Sequence, residues 1–151
     1  MIVSDIMTTD VITASPDTSV AELAILISEK NLGGLPIVDE NNAVVGIVTE
    51  SDLLPRLKKV PFSNIKLPAL FHEWVDDPGI EPLFKMAREK QAKEIMSTKV
   101  VTVRPEDSVL SAALILGERG IRRLPVVHNG ELVGIVSRGD ILRALAKSES
   151  L

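Results

Sequence analysis

The feature that most constrains this chain is a duplication interrupted by a single one-residue gap. Asp5-Ile6-Met7 aligns with Glu94-Ile95-Met96 at an offset of 89 residues. At the same offset Val11-Ile12-Thr13 meets Val100-Val101-Thr102, Pro16-Asp17-Thr18-Ser19-Val20 meets Pro105-Glu106-Asp107-Ser108-Val109, and Leu35-Pro36-Ile37-Val38 meets Leu124-Pro125-Val126-Val127. The offset then falls to 88, because Asp39-Glu40-Asn41-Asn42 is one residue longer than His128-Asn129-Gly130. Both stretches carry turn signals between β-rich runs, where a hairpin absorbs an extra residue. Self-similarity at this scale predicts two like units built from one supersecondary plan. The repeats are assigned to residues 1–58 and 92–151, with an insert over residues 59–91.

Each copy reads as β-α-β-β-α. A short strand (Val11 to Ala14; Val100 to Val103) ends ahead of a proline, which disfavours helix in the preceding residue. Asp17-Thr18-Ser19 and Glu106-Asp107-Ser108 then supply helix-start signals. Val20, Leu23, Ala24 and Ile27 fall on one face of the first helix, as do Val109, Ala112, Ala113 and Leu116 in the second. Gly33-Gly34 and Gly120 read as helix stops. The hairpins span Leu35 to Val38 with Val44 to Val48, and Leu124 to Val127 with Leu132 to Val136. A last helix closes each unit, from Ser51 to about Lys58 and from Arg138 to about Lys147. A chain of about 50 residues without disulfide or metal buries too little apolar surface to be secure alone. The two units are therefore expected to pack on each other as a mixed α/β body with pseudo-two-fold symmetry and two related clefts.

The end of each hairpin holds the most informative polar residues. Val133-Gly134-Ile135-Val136-Ser137-Arg138-Gly139-Asp140 repeats Val45-Gly46-Ile47-Val48-Thr49-Glu50-Ser51-Asp52. Both place a hydroxyl at the strand's end and an Asp three residues later, before an apolar helix. One reading is helix capping, since Ser, Thr and Asp satisfy unpaired amides of a first turn. The other is a small polar site in which hydroxyl, carboxylate and helix N-terminal amides face a cleft at a strand's carboxyl end. The duplication raises the second reading beside the first.

Composition narrows the function classes. Of 151 residues, 45% are hydrophobic but only 3% aromatic, so the core is aliphatic. The net charge of −4 gives no overall attraction to nucleic acid. No stretch approaches the ~18 uninterrupted apolar residues of a membrane span, and Met1 to Asp10 lacks a leader-like pattern. Cysteine is absent, which removes disulfides and thiol chemistry. His72 and His128 are too few for a metal site. No nucleophile, acid–base pair or Walker or dinucleotide loop stands out, so no enzyme is indicated. A cytoplasmic, non-membrane protein is the expectation.

Taken together, these motifs resemble the CBS domain, the module named after cystathionine β-synthase and used in tandem pairs called Bateman modules. The resemblance rests on Asp5-Ile6-Met7 and Glu94-Ile95-Met96, Val100 to Pro105, Arg122-Arg123-Leu124-Pro125-Val126-Val127 and Gly134 to Asp140, and it covers all but about 40 residues. It implies a regulatory module without catalysis or required cofactor, an energy or ligand sensor. Its clefts would take AMP, ADP, ATP or a related adenosyl compound such as S-adenosylmethionine. The family pattern implies that Asp140 with Ser137, and Asp52 with Thr49, bind ribose hydroxyls. It implies that Ile12-Thr13-Ala14 and Val101-Thr102-Val103 hold adenine, and that the residue three before the Leu-Pro proline, Arg122 in the second copy and Gly33 in the first, is the one that contacts phosphate.

Here the copies differ. Arg122-Arg123 can fork onto phosphate oxygens, whereas Gly33-Gly34 offer only amides, leave room for a base, or cap the helix. The site using Asp140 and Arg122 or Arg123 is therefore ranked first, with the reservation that in paired modules such an Arg can reach the opposite cleft. Arg138 beside Gly139 is a further phosphate candidate or a solvated first-turn residue. The insert holds all four aromatics, Phe62, Phe71, Trp74 and Phe84, with short helices expected at Ala69 to Val75 and Glu81 to Ile95. It packs on its own subunit or on a second one, and the family habit favours a homodimer. An unidentified protein partner would receive the signal. The alternatives are an interaction module with vestigial clefts and, disfavoured by charge, a nucleic-acid binder.

Overall fold

Ser19 and Ser108 turn each extended run into a helix. Ser19 Oγ accepts from the Glu22 amide at 3.2 Å, and Ser108 Oγ from the Ser111 amide at 3.0 Å, which satisfies donors that have no partner inside the helix. The computed structural model describes residues 1–53 and 88–148. Its elements are α1 (Val20–Glu29), β1 (Gly34–Val38), β2 (Val44–Thr49), α2 (Glu50–Leu53), α3 (Ala92–Ile95), α4 (Val109–Arg119), β3 (Arg123–His128), β4 (Glu131–Ser137) and α5 (Arg138–Ser148), preceded by a 3-10 turn at Val3–Asp5. β1 pairs with β2 and β3 with β4 in separate two-stranded sheets. The fold is mixed α/β, with each repeat supplying a helix, a hairpin and a closing helix as expected.

The compact units cut across the order of the repeats. One gathers Met1–Thr13, Val38–Val45 and the chain from Thr98 onward; the other gathers Ala14–Ile37 and, among the described residues, 46–53 and 88–97. We call these the second-repeat and first-repeat units. The segment that leads into each repeat thus belongs with the other repeat's hairpin. In the second-repeat unit the Val3 amide donates to Asp107 O at 2.8 Å and the Ser4 amide to Pro105 O at 2.9 Å. In the first-repeat unit the Ala92 amide donates to Thr18 O at 2.7 Å and the Lys93 amide to Pro16 O at 2.9 Å. Thr8 and Ile135 exchange two bonds of 2.9 Å, and Ser97 and Ile47 two of 3.0 Å. Each leader therefore closes the open edge of a hairpin, which would otherwise present unpaired backbone groups.

The leading methionines explain two glycines. A β-carbon on Gly134 would lie 2.6 Å from Met7 Sδ, and one on Gly46 would collide with Met96. In the second-repeat unit Val3, Val103, Val109, Ala112, Leu116, Leu124, Val126, Val136 and Ile141 form a single aliphatic cluster, with Met7 packed against it. In the first-repeat unit Leu23, Ile27, Leu35, Ile37, Val48, Ala92 and Ile95 are buried.

Several expectations need correction. The strands expected at Val11 to Ala14 and Val100 to Val103 shrink to single parallel bridges, Ala14 to Ile37 and Val103 to Val126. The prolines that follow shortly, Pro16 and Pro105, have no amide with which to extend the pairing. Ala24 is exposed rather than on the buried face of α1. Gly120 adopts φ 63° and caps α4 as expected, but α1 ends on Lys30, and Asn31, not Gly33, takes the left-handed φ of 51°. Asn tolerates that region almost as Gly does. The helix expected from Glu81 is interrupted within its described part: residues 88 and 89 are helical, Lys90 bends, and Gln91 bridges to Ser19 before α3 begins. The four aromatics, the Ala69 to Val75 helix and the continuation of α2 to Lys58 lie outside the described residues.

The hairpin tips differ as their lengths require. Asn129 and Gly130 take φ 51° and 78°, the positive angles of a two-residue hairpin turn. The longer first tip is held by Asp39, whose Oδ1 accepts from the Asn41 and Ala43 amides at 2.9 and 3.0 Å.

Candidate functional site

β4 buries alternate residues, Leu132, Gly134 and Val136, so its period of two delivers Ser137 to the strand's end with its side chain partly exposed. There the chain turns into α5 and the two ends of the turn hold each other. Asp140 Oδ2 accepts from the Ser137 amide at 2.8 Å and from the Ser137 hydroxyl at 2.9 Å, while the Asp140 amide donates to Ser137 Oγ at 3.2 Å. This is a reciprocal capping box with Asp in place of the usual Glu. The remaining oxygen, Oδ1, is ion-paired with Arg143 Nη2. Asp140 is only 9% exposed and is the single buried charged residue among those described.

The first copy is looser. Asp52 Oδ2 accepts from the Thr49 amide at 2.8 Å and from the Thr49 hydroxyl at 3.2 Å, and that hydroxyl is also engaged by Ser51 Oγ at 2.7 Å. Asp52 is half-buried, and its Oδ1 takes no bond from a described residue. The second turn caps α5, whose Asp140 amide donates to Ser137 Oγ, whereas the Thr49 hydroxyl accepts from no described amide of α2; both turns preset a carboxylate at a hairpin's end. The two sequence readings of this motif are compatible.

The basic residues of the second repeat divide in their engagement. The Arg138 amide donates to Arg122 O at 3.0 Å, as the Glu50 amide does to Gly33 O at 3.1 Å. That shared bond fixes the residue ahead of each Leu-Pro strand beside the start of the closing helix. The Arg138 side chain, though exposed, is engaged by backbone carbonyls: Nε donates to Ile121 O at 2.9 Å and Nη2 to Leu116 O at 3.3 Å. A cation on the carbonyls around the end of α4 also suits the helix dipole. Arg122 is exposed, and Arg123 is half-buried at the start of β3. Arg143 is the residue that sequence reasoning missed. Its only signal there is an Asp-x-x-Arg spacing on a helix, which is common among solvated pairs.

The proposed adenine segments lie against the Leu-Pro strands. The Val103 amide donates to Pro125 O at 3.1 Å and Val103 O accepts from the Val127 amide at 2.9 Å; the Ala14 amide donates to Pro36 O at 3.2 Å. Val103, Ala14, Pro125 and Pro36 are buried, whereas Thr102 is exposed and Thr13 half-buried. The backbone groups of Thr102 and Thr13 make no bond to a described residue, so they are the ones available to a base. Thr13 sorts with the second-repeat unit and Ala14 with the first-repeat unit. An open groove of about 590 Å³ runs from Thr102 and Arg104 to the hairpin tip at His128 and Asn129. It does not include the Ser137–Asp140 turn.

The description of the CBS domain matches residues 3–59 and again residues 92–147. The chain belongs to the CBS domain family. An uncharacterized protein of Methanopyrus kandleri, MK0525, is 34% identical over 93% of this chain, which spans 61% of that relative's length. Two solved CBS pairs have the same fold. The Arabidopsis thaliana protein CBSX2, solved in complex with AMP, is 30% identical with TM-score 0.75, covering 98% of both chains. The CBS pair of protein MJ0100, solved with 5′-methylthioadenosine and S-adenosyl-L-methionine, is 27% identical with TM-score 0.70 and the same coverage. No helix among the described residues of this CBS pair is long and apolar enough to cross a membrane.

Proposed function

We propose that this CBS pair is a regulatory module that binds an adenine nucleotide or a related adenosyl compound, with the Ser137–Asp140 turn as its principal ribose-holding group. The observation that carries the reading is the carboxylate of Asp140, held in place by Ser137 and repeated at Asp52. A fixed, ionised carboxylate accepts two charge-assisted bonds from a vicinal diol without having to be ordered on binding. Solved relatives carry AMP, or methylthioadenosine with S-adenosylmethionine, which supports an adenosyl ligand and leaves both phosphorylated and sulfonium forms as candidates. Thr102 and Val103 would face the base, and exposed Arg122 with Arg123 would meet phosphate. Asp52 with Thr49, Ala14 and Pro36 would form a second, weaker site. A role in sensing adenylate levels in the cytoplasm follows for a nucleotide ligand. Calorimetric titration of the purified chain with AMP, ADP, ATP, S-adenosylmethionine and methylthioadenosine tests it. Saturable heat with at least one is expected; no heat and no melting shift with any would refute it.

A homodimer is proposed on a separate observation. Leu110 and Leu114 on α4 and Leu142 and Leu145 on α5 are each more than half exposed, and they recur at helical spacing on their elements. Apolar residues grouped in this way mark interaction surfaces. Sedimentation equilibrium should give twice the chain mass, and Leu110→Glu with Leu142→Glu should return it to one. A monomeric parent at all concentrations would remove the proposal.

A further inference from the structure

Arg143 stands one turn beyond Asp140 on α5 and folds back over it. Nη2 donates to Asp140 Oδ1, and Nη1 lies 3.4 Å from where a β-carbon on Gly139 would be. Oδ2 of the same carboxylate is already taken by the Ser137 amide and hydroxyl. Oδ1 is therefore the oxygen left for a ligand, and the guanidinium stands at it. The side chain of Arg143 is 69% exposed while that of Asp140 is 9% exposed. The carboxylate is thus fixed from within, and the cation is tethered from the solvent side through that one carboxylate. The first repeat has neither part of this arrangement. At the offset of 88, Ser51 stands for Gly139 and Pro55 for Arg143.

We propose that Arg143 sets the charge selectivity of the Asp140 site, favouring phosphorylated adenosine ligands over uncharged adenosyl compounds. The inference rests on the reading that Asp140 holds a ribose. A diol approaching Oδ1 must share it with the guanidinium or displace it. The carboxylate is buried and costly to leave unpaired, but the diol hydroxyls take the place of the guanidinium at Oδ1, and the long arginine stem lets the cation step aside, so the exchange keeps Asp140 satisfied. The displaced cation remains beside the bound ribose. A phosphate ester on that ribose offers it two oxygens to fork onto, replacing the bond it lost. Methylthioadenosine carries a neutral thioether in the same position and returns nothing.

The test is calorimetric titration with AMP and with 5′-methylthioadenosine, in an Asp52→Asn background that isolates the second-repeat turn. Arg143→Ala is expected to weaken AMP about tenfold, the loss of one charge-assisted contact, and to leave methylthioadenosine unchanged or slightly tighter. Arg143→Lys keeps the charge without the fork and should fall between. An unchanged AMP affinity, or an equal loss for both ligands, would overturn the proposal. If the parent binds neither ligand, the ribose reading of Asp140 fails and this inference falls with it. Arg143 is exposed on a helix of 11 residues, so matching melting curves confirm that the variants are folded.

Discussion

Removing residues 1–8 is expected to unravel the second-repeat unit, although its hairpin lies more than a hundred residues further along the chain. Val3 is fully buried in that unit's cluster, Met7 packs on it over Gly134, and the leader makes backbone bonds to Pro105, Asp107 and Ile135. Burying a Val or Met side chain contributes about 1.5–3 kcal/mol. Buried backbone groups left without partners add a further penalty. A loss of about 3–6 kcal/mol is expected from these contributions, a large part of the roughly 5–15 kcal/mol typical of a domain. Hydrogen exchange can locate it. The amides of Leu124, Val126 and Ile135 should lose protection, while those of Ile37 and Val48 in the first-repeat unit keep theirs. Val3→Ala should show the same pattern at about 2 kcal/mol. Loss that begins in residues 34–49 would mean that the leader serves its own repeat.

That exchange of leaders was not legible from the duplication, and the reason is physical. Asp5-Ile6-Met7 and Glu94-Ile95-Met96 are nearly the same segment, so either would fit either hairpin. Periodicity reports which face of a segment is apolar but not which of two like edges receives it. The parts governed by local chemistry were readable: the serine caps of α1 and α4, the Asn129-Gly130 turn, the left-handed Gly120 and the Ser137–Asp140 turn. Where two local solutions competed, composition alone could not decide. Asn31 took the left-handed position ahead of Gly33, and the segments near Pro16 and Pro105 kept one bridge instead of a strand. In the candidate site, the hydroxyl and the carboxylate were visible because they recur in both copies. Arg143 was not, because Pro55 replaces it in the first copy and a comparison of repeats highlights only what they share.

Asp140→Asn is expected to weaken the adenosyl ligand about a hundredfold or more, and Asp52→Asn by much less. The substitution keeps the shape of the side chain but removes its charge, so two charge-assisted bonds to a ribose diol, each worth about 1.5–3 kcal/mol, become ordinary or are lost. The ranking follows from how firmly each carboxylate is held. Ser137 supplies both its amide and its hydroxyl to Asp140 at 2.8 and 2.9 Å. Thr49 reaches Asp52 through its hydroxyl only at 3.2 Å and shares that hydroxyl with Ser51. The second repeat also carries Arg122, Arg123 and Arg143 where the first has Gly33, Gly34 and Pro55, so any phosphate on the ligand is expected to add to the difference between the sites. Weakening the cap should itself cost about 1 kcal/mol of stability, and affinity is therefore measured well below the melting temperature of every variant. Greater loss from Asp52→Asn would reverse the ranking of the two sites. A destabilised Asp140→Asn that binds as tightly as the parent would show that the carboxylate caps α5 and does nothing for a ligand.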